Sequence, residues 1–171
     1  VVGGCVTQTA EQGMSCIRQA VLASGWPQSV PGVSLNRLCG SGQQAVAFAA
    51  LEIKGGQNDL TVGCGMESMT RVPMGSDVGP FNTNLSRRYD LVGQGISAEL
   101  MAERWSLTRE ELDAFSYESH RRALHAMAEG RFSNEIIPVE ITDASGKVLS
   151  TVTEDQGPRA DTTLEKMSTL R

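Results

Sequence analysis

Cys39 is the residue of this sequence best suited to act as a nucleophile. It follows a β-branched segment, residues 30–38, that we predict as a strand, and it precedes Gly40-Ser41-Gly42 and an apolar helix. Unpaired N–H groups and the dipole at a helix N-terminus stabilise an anion, and a cysteine placed there has a lowered pKa. Gly40 and Gly42 permit a sharp turn and leave space for a substrate beside the sulfur. The pattern predicts a strand–turn–helix elbow that presents a thiol for covalent catalysis.

The remaining cysteines and the histidines favour no second site. The other three thiols lie within or at the ends of predicted strands or within a helix, where inert core residues are commonest: Cys5, Cys16 and Cys64. Cys39 could also be a small buried hydrophobe beside ordinary turn glycines, but the predicted strand, turn and helix all fit a nucleophile there. His120 and His125 do not share a helix face, so we expect both to be solvated. No metal site is predicted, because the sequence has no Cys-x-x-Cys pair and both histidines lie far from the cysteines.

Composition argues against two broad classes of function. The 171 residues include 15 Lys and Arg against 20 Asp and Glu, a net charge of −5, and no basic run that would indicate a nucleic-acid surface. No apolar stretch approaches the roughly 18 residues of a membrane span. The opening residues, Val1-Val2-Gly3-Gly4, do not resemble a secretory signal. We therefore expect a cytoplasmic protein with reduced thiols.

The first 64 residues alternate between strands and helices. Strands are predicted at 1–6, 30–38 and 59–64, and helices at 10–23 and 43–54. Short connections imply right-handed crossovers and a mainly parallel sheet, which is an α/β architecture. In the first helix Met14, Ile17, Ala20, Val21 and Ser24 recur at helical spacing and are expected to share the inner face. The helix at 43–54 is apolar all round in its middle, so we expect it to be buried on most faces.

The character of the sequence changes after Cys64. Residues 67–95 form a long irregular connection, which usually marks a function or a boundary. Two helices follow. We expect Ser97 to cap the first, which runs to about Trp105, whereas Thr108 and Glu111 form a capping box for the second.

The second of these helices is predicted to run to about Ala128 and to face inward with a stripe of five residues: Leu112, Phe115, Ser119, Ala123 and Met127. A β-hairpin is predicted from 136–141 and 148–152, followed by a polar loop at 154–163. A further helix is expected to begin near Leu170. Because the sequence opens within a strand and closes at a helix start, we expect it to lack segments at both ends.

Several separated motifs resemble the thiolases, the acyl-CoA acetyltransferases. The nucleophile motif of that family is similar to residues 36–46, Asn-Arg-Leu-Cys-Gly-Ser-Gly-Gln-Gln-Ala-Val. Other thiolase segments are similar to residues 63–70, 95–99, 130–139 and 159–166. The resemblance implies a thiolase-like fold: a mixed, mainly parallel sheet with helices on both faces, and part of a loop domain with helices and a β-hairpin. It assigns residues 1–68 to the N-terminal α/β domain and 69–171 to the CoA-binding loop domain.

The resemblance also implies an activity. Thiolases cleave 3-ketoacyl-CoA with coenzyme A, or run the reverse Claisen condensation, through a cysteine acyl-enzyme. It makes Cys39 the acylated nucleophile, with its backbone N–H in the oxyanion hole. Gly40, Gly42 and Gln94 are then expected to bind substrate. Acyl-CoA and coenzyme A are implied as substrates, with no permanently bound cofactor, no metal, and a homodimer or homotetramer as the assembly.

Two departures from the family pattern qualify this expectation. The family's Asn-Glu-Ala-Phe, Gly-His-Pro and Cys-Gly-Gly segments, which carry its other catalytic groups, do not occur in this sequence. We therefore expect the 171-residue chain alone to lack thiolase turnover. Short-chain biosynthetic thiolases resemble one another in carrying Tyr-His-Met-Gly at the place where this sequence has Val-Gly-Gln-Gly, residues 92–95. The broader acyl pocket of degradative 3-ketoacyl-CoA thiolases is the better expectation.

Three other readings compete with a thiolase. A ketoacyl synthase shares the fold and the cysteine nucleophile, but would lack the Met66–Met69 segment and the loop-domain helices. A non-catalytic thiolase-like subunit, for lipid binding or assembly, would usually have lost the nucleophile. A nucleotide-binding βαβ module would use Gly40-Ser41-Gly42 for phosphate, although a third glycine and a following acidic residue are missing.

Overall fold

The structure, a computed structural model, describes residues 1–170, which form two compact units that divide between Arg88 and Tyr89. The first unit contains β1 (Val2–Gly4), α1 (Cys16–Ala23), β2 (Val33–Leu35), α2 (Ser41–Lys54), β3 (Gly63–Gly65) and a short helix α3 (Thr83–Ser86). The second contains α4 (Gln94–Trp105), α5 (Arg109–Ala128), β4 (Val139–Thr142), β5 (Val148–Val152) and α6 (Leu164–Ser168). The division of the family's domains at residues 68 and 69 stays a prediction.

The predicted parallel sheet is confirmed, with β1 at its centre. The strand order is β2-β1-β3, and Val2 pairs with Val33 on one side and with Gly63 on the other. A Cβ atom at Gly3 would lie 2.2 Å from Cδ1 of Ile17 in α1, whereas one at Gly4 would lie 2.6 Å from the carbonyl carbon of Ser41 in α2. Neighbouring residues of a strand point to opposite faces, so α1 and α2 cover opposite faces of the sheet, as expected.

All three strands of the first unit are shorter than predicted, and each contributes three residues to the sheet. The third begins at Gly63 rather than near residue 59. The apolar runs read from the sequence extend beyond these paired residues, although single hydrogen bonds continue past them, such as the one from the N–H of Cys5 to the Leu35 carbonyl.

The prediction that α2 is buried on most faces is wrong. Its buried residues are Ser41, Ala45 and Ala49, which lie on the side that packs against β1 and β3. Val46, Phe48, Leu51 and Ile53 are all exposed. Among the described residues the sheet is the main neighbour of α2, so only one side of this apolar helix is covered.

The single helix predicted over residues 10–23 is also wrong. Residues 10–12 form a short 3₁₀ turn, and α1 begins only at Cys16. Ala10, Met14 and Ser15 have positive φ angles of 47°, 47° and 55°, which interrupt a right-handed helix. Met14 is 94% exposed rather than inward-facing. The break has a physical cause in the buried side chain of Gln12, whose hydrogen bonds are described with the site.

The second unit confirms the strongest local signals. The Thr108 and Glu111 side chains form the predicted capping box at the start of α5, which ends at Ala128. β4 and β5 form the predicted antiparallel hairpin. The prediction that Ser97 caps α4 is wrong, because α4 begins a turn earlier with Gly93 as its N-cap, and the Ser97 hydroxyl donates back to the Gly93 carbonyl.

The inward face predicted for α5 is right in part, since Ala123 and Met127 are partly buried. Phe115 is 80% exposed, and the other partly buried residues of α5 include Asp113, Tyr117, His120 and Leu124. This face carries the neighbours: α6 packs against α5, and the backbone N–H of Arg159 donates to Nδ1 of His120 at 3.2 Å. His120 is thus not the solvated side chain that the sequence suggested, because the 154–163 loop lies against it.

The chain end also differs from expectation. A helix was predicted to begin near Leu170, but α6 already ends at Ser168. Its N-cap is Thr163, whose hydroxyl accepts a hydrogen bond from the N–H of Lys166. Within the described residues, none of the helices is both long and apolar enough to span a membrane.

Candidate active site

Cys39 lies in the turn that joins β2 to α2, as predicted. β2 ends at Leu35 and α2 begins at Ser41, with Gly40 as its N-cap. The thiol is exposed. Leu38, immediately before it, has a positive φ of 49°, a left-handed conformation that a bulky residue adopts only when its surroundings enforce it. The chain therefore turns sharply just before the cysteine and presents it at the N-terminal end of a helix.

Two side-chain hydrogen bonds hold the left-handed residue, and a third holds Arg37 before it. Oδ1 of Asn36 accepts from the N–H of Leu38 at 2.8 Å. The hydroxyl of Ser41 donates to the Leu38 carbonyl at 2.6 Å and accepts from the N–H of Arg37 at 2.9 Å. Ser41 is only 4% exposed, so its two bonds are partly shielded from water, whereas the bond from Leu38 to Asn36 is exposed. Both peptide groups of Leu38 are thus held by side chains that the sequence analysis did not single out.

Glycine at position 4 allows this turn to sit against the sheet. A Cβ atom at Gly4 would lie 2.6 Å from the carbonyl carbon of Ser41 and 2.8 Å from the backbone nitrogen of Gly42. Such distances to backbone atoms exclude any side chain. The start of α2 therefore packs directly on the end of the central strand.

Of the two glycines that flank Ser41, Gly42 faces open space and Gly40 has only Arg37 close to it. A Cβ atom at Gly42 would meet nothing within 4 Å, and one at Gly40 would make only ordinary contact with the Arg37 carbonyl, at 3.4 Å. This geometry is compatible with the predicted room for a substrate beside Cys39. The substrate-binding role of both glycines stays a prediction.

A carboxylate that the sequence analysis did not select joins two loops at the same edge of the sheet. Glu67 follows β3, and its side chain accepts from the backbone N–H of Val6 at 2.8 Å and from that of Thr7 at 3.4 Å. It also accepts from Nε2 of Gln12 at 2.7 Å. These bonds, led by the one from Val6, hold the pKa of the Glu67 carboxyl below its ordinary value of 4.5.

Gln12 is the buried partner of Glu67, with 2% of its surface exposed. Its Nε2 also donates to the Thr7 carbonyl at 2.9 Å, and its Oε1 accepts from the N–H of Ser68 at 2.7 Å. A buried amide is stable only when its hydrogen bonds are made. The chain leaves helical geometry around residues 10–15 and thereby allows Gln12 to make these bonds.

The remaining cysteines are shielded, as expected. Cys5 and Cys16 are buried and Cys64 is partly buried, so Cys39 is the only exposed one of the four free thiols within residues 1–170. Burial, followed by the neighbouring Cys16 thiol and the charge of Glu67, raises the pKa of the Cys5 thiol to about 12. A thiol with that pKa is not a nucleophile at neutral pH.

The other sequence-selected groups lie in the second unit. Gln94 is exposed and is the first residue of α4, and its substrate-binding role stays a prediction. His125 is exposed, as predicted, and lies 3.1 Å from a carboxylate oxygen of Glu129. No group of three or more His, Cys, Asp or Glu side chains within the described part of the chain is arranged to hold a metal ion.

A family model described as "Thiolase, N-terminal domain" matches residues 1–171. The chain belongs to the thiolase family. It is 43% identical over 175 residues to a 3-ketoacyl-CoA thiolase of Psychrobacter arcticus, 42% identical over 173 residues to one of Colwellia psychrerythraea, and 43% identical over 176 residues to one of Acinetobacter baumannii. Each match covers 100% of this chain and 44% of the relative, so the thiolase chain described here spans less than half the length of these relatives.

Proposed function

We propose that the protein containing this chain transfers acyl groups to and from coenzyme A, with Cys39 as the acylated nucleophile. The observation that carries the proposal is the placement of an exposed thiol after a left-handed residue, at the N-terminal end of α2. Membership of the thiolase family supports it. The retained cysteine favours an enzyme over a non-catalytic thiolase-like subunit.

The chemistry assigned to Cys39 has two half-reactions. The thiolate adds to the C3 carbonyl of a 3-ketoacyl-CoA, the C2–C3 bond breaks, and the departing carbanion takes up a proton to give acetyl-CoA. Coenzyme A thiolate then attacks the thioester on Cys39, which releases a shortened acyl-CoA and restores the thiolate. Claisen condensation is the reverse of these steps.

The N-terminal end of α2 supplies favourable electrostatics for both steps. The helix dipole favours an oxyanion on the carbonyl that Cys39 attacks, and the Cys39 backbone N–H is proposed as one oxyanion donor. Gly40 and Gly42 are proposed to leave room for the acyl group, because a Cβ atom would meet nothing within 4 Å at Gly42 and only Arg37 at Gly40. Gln94 is proposed to contact the coenzyme A moiety.

The relatives guide the choice of substrate. Their printed names are 3-ketoacyl-CoA thiolase, and residues 92–95 lack the Tyr-His-Met-Gly pattern of short-chain biosynthetic members. We therefore propose thiolytic cleavage of 3-ketoacyl-CoA, with coenzyme A as co-substrate and no resident cofactor. Four free thiols support a reducing, cytoplasmic location, and the family resemblance supports a homodimer or homotetramer.

The experiment is a thiolysis assay on the full-length protein that contains this chain, with 3-ketoacyl-CoA and coenzyme A. Cys39→Ser is expected to lower kcat by at least about 10³-fold, because a hydroxyl is a far weaker nucleophile than a thiolate. Cys64→Ser, a matched change at a partly buried thiol, is expected to retain most activity. Full activity in Cys39→Ser would disprove the proposal.

A further inference from the structure

We propose that Asn36 and Glu67 are positioning residues for Cys39, connected to the residue that precedes it by a chain of hydrogen bonds along the carboxyl edge of the sheet. The inference rests on the proposed role of Cys39 as the nucleophile. The chain of bonds runs from Glu67 through Val6 and Asn36 to Leu38, the left-handed residue that precedes the cysteine. We call it the edge network.

The three loops of the edge network follow the three parallel strands. Val6 is two residues beyond β1, Asn36 one residue beyond β2, and Glu67 two residues beyond β3. The carboxyl ends of parallel strands meet at one edge of a sheet, where α/β proteins commonly bind ligands. The network therefore joins parts of the chain that are 30 and 61 residues apart in sequence.

At the Glu67 end of the edge network, the hydrogen bonds can run only from donors toward the Glu67 side chain. All three of its partners are donors: the N–H groups of Val6 and Thr7, and Nε2 of Gln12. Gln12 cannot turn its amide round to relieve a mismatch, because its Oε1 already accepts from the N–H of Ser68. Only a group that accepts with both of its oxygens satisfies this site, which a carboxylate does and an amide does not.

The backbone of Val6 links Glu67 to the loop that carries Asn36. Its N–H donates to Glu67 at 2.8 Å, and its carbonyl accepts from Nδ2 of Asn36 at 3.0 Å. Both peptide groups of one residue are therefore held. A shift of Val6 after loss of the carboxylate must move or break its bond to Asn36.

Asn36 joins that bond to the nucleophile turn. Its Nδ2 is held by Val6, while its Oδ1 holds the N–H of Leu38 at 2.8 Å. The second bond supports the φ of +49° at Leu38, which has a conformational cost for a side chain of this size. Without it, the one side-chain bond left on Leu38 is that of its carbonyl to the Ser41 hydroxyl, and relaxation of Leu38 toward negative φ would rotate the following peptide and displace the Cys39 sulfur from its place before α2.

The decisive test uses Asn36→Ala in the full-length protein. We expect kcat for thiolysis to fall about 10- to 100-fold, as small misplacements of reacting groups do, with KM for 3-ketoacyl-CoA changed less than about threefold. Asn82→Ala is the matched control, because Oδ1 of Asn82 accepts from the N–H of Asn84 at 2.9 Å in a similar turn that lies outside the network. That control is expected to keep both parameters. An unchanged kcat in folded Asn36→Ala would overturn the inference.

The double variant tests whether Glu67 acts through Asn36. Glu67→Gln is expected to lower kcat about tenfold, and Glu67→Gln with Asn36→Ala is expected to be no slower than Asn36→Ala alone, because both changes interrupt one path. Losses that multiply would overturn the connection between the two residues. Should Glu67→Gln fail to fold, as its melting curve would show, Asn36→Ala decides alone.

These outcomes are separable from failure of the proposed function. If Cys39→Ser retains full turnover, the nucleophile assignment fails, and the edge network loses its proposed role with it. If Cys39→Ser is inactive while folded Asn36→Ala keeps its kcat, only the edge network is refuted. A melting temperature that falls in Asn36→Ala with kcat unchanged would show a purely structural role and would equally overturn the inference.

Discussion

At the scale of single residues, the four thiols differ because their surroundings differ. Cys5 is buried beside Cys16, which raises its pKa to about 12, whereas Cys39 is exposed before a helix N-terminus. The sequence predicted this contrast because helix starts and apolar strands leave local patterns. It could not predict the roles of Asn36, Ser41 and Glu67 in holding the turn.

Stability at low pH should depend on Glu67. Its hydrogen bonds hold its pKa below 4.5 in the folded chain, so the stabilisation it gives is fully present above the unfolded-state pKa. That stabilisation is lost as the pH falls through the lowered, folded-state pKa. We expect Glu67→Gln to reduce the free energy of unfolding by roughly 1.5–3 kcal/mol near neutral pH, where charge-assisted bonds are intact.

The measurement is urea unfolding of both proteins from about pH 7 to about pH 3. The difference between the free energies of unfolding of wild type and Glu67→Gln should shrink as the pH approaches the lower limit. Asp143→Asn is the control, because it removes another carboxyl whose pKa is lowered by hydrogen bonds. Those bonds come from Ser145 and Lys147 at an exposed turn. A pH-independent difference for Glu67→Gln would contradict the assigned ionisation.

At the scale of elements, sequence patterns succeeded where the interactions are local. The capping box of α5 and the hairpin of β4 and β5 depend on residues that are close in sequence, and both are present. The helix predicted at 10–23 failed because Gln12 bonds to Glu67, 55 residues away. The inward face of α5 was predicted only in part, because α6 and the loop at Arg159 also cover one side of the helix.

Close packing of α2 on β1 should make Gly4 intolerant of a side chain. Gly4→Ala places a methyl group 2.6 Å from the Ser41 backbone, so we expect a loss of roughly 1–3 kcal/mol in the free energy of unfolding. Gly42→Ala is the contrast, since its Cβ would meet nothing within 4 Å. Chemical denaturation measures both, and equal stability of Gly4→Ala and wild type would refute the packing argument.

At the scale of the whole molecule, this chain carries the proposed nucleophile without the rest of the family's catalytic groups. Neither His120 nor His125 precedes a proline, and no Cys-Gly-Gly segment is present. The fold class and the nucleophile turn could be predicted because they are encoded within short segments. The edge network could not, because its members come from three separate loops.

The 171-residue chain alone is therefore expected to show no thiolytic turnover. A thiolate lacking a general base and a second cysteine can be acylated slowly but cannot complete the cycle. The measurement is steady-state thiolysis by the purified chain, with a full-length thiolase as the positive control. Turnover comparable to that of the control would contradict the expectation.

The most direct test of the central claim is to trap the acyl-enzyme. The full-length protein is incubated with acyl-CoA, quenched in acid, digested, and its cysteine peptides are weighed by mass spectrometry. The account predicts that the acyl mass is found on the peptide containing Cys39 and is lost on addition of coenzyme A. An acyl group on Cys5, Cys16 or Cys64 instead, or none on Cys39 in an active preparation, would contradict it.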